Sequence, residues 1–151
     1  LKLHKFTRLK KRIKKNEGFR NKLYFDQVGR LTVGYGHLIK NSENFSTKKK
    51  YSKKYLNYVF ENDFKKAIAE YKKHYKKLRL SNSSREVLIE MIFQLGIKKV
   101  NKFKRFNKFL KQKLLYLAAL EMINSLWHIQ TPKRVDGLIK VLLSLENDKY
   151  R

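Results

Sequence analysis

The chain is 151 residues long, 42% hydrophobic and 13% aromatic, which suits one domain with a packed core and excludes intrinsic disorder. Thirty-eight Lys and Arg against 12 Asp and Glu give a formal net charge of +26. The expected partner is therefore an anion; nucleic acid, an anionic membrane surface and an envelope carrying acidic polymers all satisfy that, and charge alone does not choose among them.

The lack of cysteine excludes disulfides and thiolate metal sites, and His4, His37, His74 and His128 show no metal-ligand spacing, so neither metal nor cofactor is expected. No apolar run approaches the roughly 20 residues of a transmembrane segment, and the cationic N-terminus lacks the apolar stretch of an export signal. Opening on Leu1 rather than Met leaves room for an upstream segment.

Phe6, Leu9 and Ile13 recur at helical spacing, and Gly18 ends this first helix just after Glu17. From Leu23 to His37 the pattern becomes apolar residues among Gly29, Gly34 and Gly36, which predicts short strands joined by turns. Residues 40–54 are polar and lysine-rich, a loop or a frayed helix start. Phe60, Phe64, Ala67, Ile68, Tyr71, Tyr75 and Leu78 trace one face of a long helix over about 52–77. Ser83 and Glu86 have capping-box spacing ahead of Val87, Leu88, Met91, Ile92 and Leu95, with Gly96 as the stop. A short helix around Phe103, Phe106 and Leu110 follows, then one from Leu114 to Trp127. Thr131 and Pro132 are expected as N-cap and first residue of a last helix carrying Val135, Leu138, Ile139, Leu142 and Leu143.

The stretch Glu17-Gly18-Phe19-Arg20, Tyr24-Phe25-Asp26, Gly29, Thr32, Gly34-Tyr35-Gly36-His37-Leu38 resembles the N-terminal motif of the T4-type phage lysozymes. In that family a glutamate ends the first helix, an aspartate follows on a hairpin and a threonine follows that; here the steps are nine, Glu17 to Asp26, and six, Asp26 to Thr32. Met91 to Gly96, then Trp127, Gln130, Thr131, Pro132 and Arg134, are similar to two later family segments, and Tyr150 to its C-terminal tyrosine. The segment from His37 to Phe60 looks shorter than in the phage T4 enzyme, and residues such as Phe106 and Glu121 stand where the family has polar cleft positions.

The resemblance implies an α+β, mostly helical, lysozyme-like two-lobed fold in one domain over 1–151. A small β-hairpin lobe at about 18–45 would join a helical lobe, 1–16 plus 80–151, through the 52–77 helix. It also implies a muramidase cutting the β-1,4 bond between N-acetylmuramic acid and N-acetylglucosamine of bacterial peptidoglycan, with inversion. Such an endolysin, a monomeric, bacteriolytic hydrolase for cell lysis, would wait in the host cytoplasm until released to the wall. Glu17, Asp26 and Thr32 would be catalytic; Leu38, Phe93, Gln94 and Phe103 would bind sugar; Arg134 would support Glu17, and Asp63 would support His37.

The residue types suit the chemistry independently of the resemblance. Glycoside hydrolysis needs one carboxyl group that keeps its proton for the leaving oxygen and one that stays ionised toward water. Glu17 lies at the negative end of a helix dipole, which favours its protonated form, whereas Arg20 or Arg134 nearby would work against it. Asp26, on a hairpin among cations and amides, should stay ionised. His37 is expected to be structural, Trp127 and Tyr150 to be core, and the lysine runs to be solvated faces. The competing function is a cationic binder without catalysis. It would hold either nucleic acid, with Tyr51, Tyr55 and Tyr58 stacking on bases, or the envelope, disrupted by cationic amphipathic helices. No specific nucleic-acid motif accompanies the charge.

Overall fold

The computed structural model describes residues 6–144; Tyr150 and His4 lie outside them. The protein is α+β and mostly helical, and it forms two compact units, one ending at Lys66 and one beginning at Ala67. The boundary falls inside the 23-residue helix α2, Lys53–Tyr75.

In the first unit, α1 (Thr7–Glu17) buries Leu9 and Ile13, one helical turn apart, while Lys14 and Lys15 in its last turn complement the negative end of the dipole. Helix α1 is tied to the start of α2 by mixed apolar and charged contacts. Phe6 meets Phe64 edge-on at 5.8 Å, Lys10 Nζ reaches Glu61 at 2.7 Å, and Lys14 Nζ donates to Asn57 Oδ1 at 2.9 Å. Lys14 also lies over Tyr35 and Phe60, with its ammonium 5.0 and 4.7 Å from the ring centres. Burial lowers its pKa, and the nearby Lys10 and Lys53 act in the same direction against the pull of Glu61.

Strands β1 (Arg20–Phe25), β2 (Leu31–Gly34) and β3 (His37–Leu38) form an antiparallel sheet in that order. The lysine-rich segment after β3 is a loop, and it is well anchored. Ile39 N–H bonds Leu31 O at 3.0 Å, Tyr51 N–H bonds Asn21 O at 2.8 Å, and Phe45 packs edge-on to Tyr51 at 5.1 Å.

In the second unit, α3 (Asn82–Leu95) is the central helix: every residue from Val87 to Ile92 is buried, Glu90 included. Its cap is Ser81, not Ser83. Ser81 Oγ accepts from the Ser84 N–H at 3.1 Å, whereas Ser83 lies inside the first turn and its hydroxyl meets that of Ser144 at 3.2 Å. Helix α3 stops at Gly96 as expected, but a further helix, α4 (Ile97–Lys102), follows at once.

After α5 (Lys104–Lys111) the expected Leu114–Trp127 helix is split in two, α6 (Leu115–Ile123) and α7 (Leu126–Gln130). The break is a new cap. Ser125 Oγ accepts from His128 N–H at 3.1 Å and donates to Met122 O at 2.6 Å. In α8 (Pro132–Leu143) Pro132 takes the first position as read from sequence, but Thr131 makes no side-chain cap; its hydroxyl turns back to Trp127 O at 3.2 Å. Phe106 is buried in the core and Glu121 is held by Arg105 Nε at 2.8 Å, so neither is an open cleft position within this unit. Among the described residues no helix is long and apolar enough to cross a membrane.

Candidate active site

Glu17 is the last residue of α1, and Gly18 turns the chain away with φ of 71° while its N–H still bonds Lys14 O at 3.0 Å. The glutamate side chain is directed at the β2–β3 turn. A Cβ built on Gly36 would overlap the Glu17 carboxylate, lying 3.1 Å from its Cδ, and Gly36 itself has φ of 71°. Only glycine satisfies both conditions without strain.

Asp26 closes the turn between β1 and β2. Its Oδ1 accepts from the backbone N–H groups of Val28 at 3.0 Å and Arg30 at 2.8 Å, and its Oδ2 accepts from Arg30 Nε at 2.8 Å. The Arg30 N–H above all holds the carboxyl below its ordinary value; desolvation opposes it, and the Arg30 guanidinium and the Val28 N–H add to the lowering. It is ionised through the mildly acidic range. Of the roughly four lone-pair positions on a carboxylate, these three bonds leave one on Oδ2 for another donor.

Thr32 is 2% exposed in β2, opposite Tyr24 on one side and Leu38 on the other. Its hydroxyl donates to Arg30 O at 2.9 Å, so the oxygen presents lone pairs, not a proton, to anything else beside it. Burial raises the Tyr24 phenol pKa first and the negative charge of Glu17 raises it further; Arg20 works against them, and Asp26 adds a smaller rise. An open groove of about 400 Å³ runs along β1, lined by Phe19, Arg20, Asn21, Lys22, Leu23 and Tyr24.

His37 is buried in β3 between two acids. Its Nδ1 is 2.6 Å from Asp63 Oδ2 on α2, and its Nε2 is 3.1 Å from Glu43 Oε2 in the following loop. Burial pulls the imidazole pKa down, but Asp63 and then Glu43 outweigh it, and the result is a raised value. Leu38 beside it is exposed.

The remaining expected residues belong to the second unit. Gln94 uses both ends of its amide there, Oε1 accepting from Trp127 Nε1 at 2.9 Å and Nε2 reaching Thr131 Oγ1 at 3.5 Å. Phe103 stands edge-on to Trp127 at 6.1 Å, and Phe93 is half-buried on α3. Arg134 Nε donates to the buried Glu90 Oε1 at 3.2 Å. The structure thus groups Glu17, Asp26, Thr32, His37, Leu38 and Asp63 in one unit, and Phe93, Gln94, Phe103 and Arg134 in the other.

Three contributors went unseen in the sequence. Arg30, four residues after Asp26, had a usable signal in the turn-forming Asp-x-x-Gly order. Glu43 was hidden in a polar loop, and Glu90 lies outside the apolar positions that the spacing picks out on its helix. Among the described residues no cluster of three or more acids and histidines could hold a metal ion.

A helix-end glutamate facing a glycine turn, with a clamped aspartate in the neighbouring turn of the same small sheet and a buried threonine on it, supplies residue types that suit acid–base hydrolysis. The phage lysozyme family model matches residues 14–141. Two relatives from Dictyostelium discoideum, probable T4-type lysozyme 2 and probable T4-type lysozyme 1, are 32% and 30% identical over 88% and 89% of this chain, and each is covered over 92% of its length. The chain belongs to the phage lysozyme family. It is a lysozyme, an enzyme of the glycoside hydrolase class whose substrate is peptidoglycan.

Proposed function

We propose that the protein hydrolyses the β-1,4 bond between N-acetylmuramic acid and N-acetylglucosamine with inversion, using Glu17 as general acid and Asp26 with Thr32 as the water site. The observation that carries the reading is the seating of the Glu17 carboxylate against Gly36 in the β2–β3 turn, beside a sheet that carries Thr32 on β2 and Asp26 in its β1–β2 turn. Glu17 gives its proton to the glycosidic oxygen as the bond from the anomeric carbon breaks. A water between the two acids donates one hydrogen to the remaining Asp26 Oδ2 lone pair and the other to Thr32 Oγ1. Its own lone pair then faces the anomeric carbon, and its proton passes to Asp26 as the new C–O bond forms. Inversion asks for carboxyl groups roughly 6.5–9.5 Å apart. Leu38, exposed beside Thr32, is the proposed sugar contact in the first unit, and Phe93, Gln94 and Phe103 are those proposed for the second.

In the same reading the enzyme is a monomer that serves lysis of bacteria, drawn to anionic envelope surfaces by its charge. Release from a host cytoplasm to the wall would place it there. The alternative of a non-catalytic cationic binder is separated by one substitution. Glu17→Gln changes the charge by one unit and keeps the side-chain length, so pull-down on purified walls should be unchanged. Reducing-end release should fall by roughly 10²–10⁴-fold, the usual worth of a general acid. Cleavage that survives in the folded variant would remove Glu17 from the mechanism.

A further inference from the structure

Helix α6 has the sequence LYLAALEMI, and only part of its apolar surface is used. Ala118, Ala119 and Met122 are buried, while the adjacent Tyr116 and Leu117, then Leu120 and Ile123 at steps of three, are exposed. Tyr116 is 76% exposed, and Leu126 and Ile129 in the next helix are 67% and 76% exposed. Apolar side chains concentrated in this way mark a contact surface more often than a solvated one. Among the described residues α6 holds a single acid, Glu121, and Arg105 already occupies it at 2.8 Å. Packed against α6 is α5, whose Lys104, Lys108 and Lys111 are exposed, and Lys113 follows in the turn between them.

We propose that the outward face of α6 is a docking surface for a bilayer carrying anionic lipids. The apolar side chains enter the interface between headgroups and acyl chains, and the lysines of α5 and its following turn rest on the headgroups. Charge complementarity selects this occupant. A second copy of the chain would bring another +26 against the same lysines, whereas an anionic bilayer neutralises them. Nine residues are too few to span a membrane but enough to lie in its surface plane. The inference does not rest on the catalytic reading, since none of these residues belongs to that machinery.

The whole chain contains no cysteine, so Leu120→Cys accepts one environment-sensitive fluorophore at the centre of the face. Emission should shift to the blue on vesicles of phosphatidylglycerol and phosphatidylcholine, and stay unchanged on phosphatidylcholine alone. The triple variant Tyr116→Ser, Leu117→Ser, Leu120→Ser should lose at least about tenfold in partitioning to the anionic vesicles. It should keep its helical circular dichroism and its cleavage of purified peptidoglycan.

A fluorophore that stays in water on vesicles to which the chain is bound would overturn the proposal, because lysines alone would then hold it. A folded triple variant that partitions like its parent would do the same. So would a dimer in sedimentation velocity that the triple variant abolishes, since a second copy would then cover the face. Should the triple variant not fold, the labelled single variant decides alone. Loss of wall cleavage in Glu17→Gln leaves all these outcomes unaffected.

Discussion

A single methyl group at Gly36 would press on the Glu17 carboxylate, in a backbone conformation that side chains rarely adopt. The left-handed φ costs an alanine about 1 kcal/mol, a modest loss of stability. Under the proposed mechanism the displaced carboxylate costs far more in rate, because a shift of about 1 Å at a reacting group is worth roughly 10²-fold. Gly36→Ala is therefore expected to fold, to melt a few degrees lower and to lose wall cleavage by about that factor, as turbidity and calorimetry on the same sample would reveal. Full activity in the variant would mean that the position of Glu17 is not critical. At this scale much of the candidate site was legible, since Glu17, Asp26 and Thr32 lie in one stretch of chain. The clamp on Asp26 was not, because a guanidinium's choice of partner depends on how a turn folds.

Strand β3 and helix α2 are joined through His37 and Asp63, and the loop after β3 is drawn to the same ring through Glu43. The histidine's pKa is raised, so its contribution to stability is fully present below its unfolded value near 6.5 and is lost as pH climbs through the higher folded value. Glu43 has a lowered pKa; its contribution is present above its unfolded value near 4.5 and fades as pH falls through the folded one. The cluster is strongest in the window between. Asp63→Asn should cost roughly 1–3 kcal/mol at pH 6, with about 2–4 °C of melting temperature for each, and less at pH 9. Equal losses at both pH values would mean that the bond does not depend on imidazolium charge.

Elements with a long periodic face, such as α1, α2 and α8, could be placed from sequence. The division at Ser125 could not. Leucines and alanines continue the helical period straight through it, and only the hydroxyl's preference for His128 N–H and Met122 O decides the break. Glu43 escaped for a related reason: it lies in a loop without period, and its partner is set by the fold.

The net charge of +26 surrounds chemistry that involves only a few side chains. Its expected effect is on encounter with an anionic wall, which salt screens over a Debye length of about 8 Å at physiological strength. Cleavage of whole walls should therefore fall steeply as salt is added, and cleavage of short uncharged chitooligosaccharides much less, both followed by reducing-end assay. Identical salt curves would leave the charge without a part in encounter. The same excess reaches the backbone, where Arg79 and Lys113 hold left-handed turns with φ of 49° and 58°. A glycine in either place would relieve roughly 1 kcal/mol of steric cost, but would loosen the unfolded chain by nearly as much. Selection for stability is thus almost indifferent between a glycine and a cation at these turns. Mutational drift under any steady demand for positive surface will fill them with lysine or arginine.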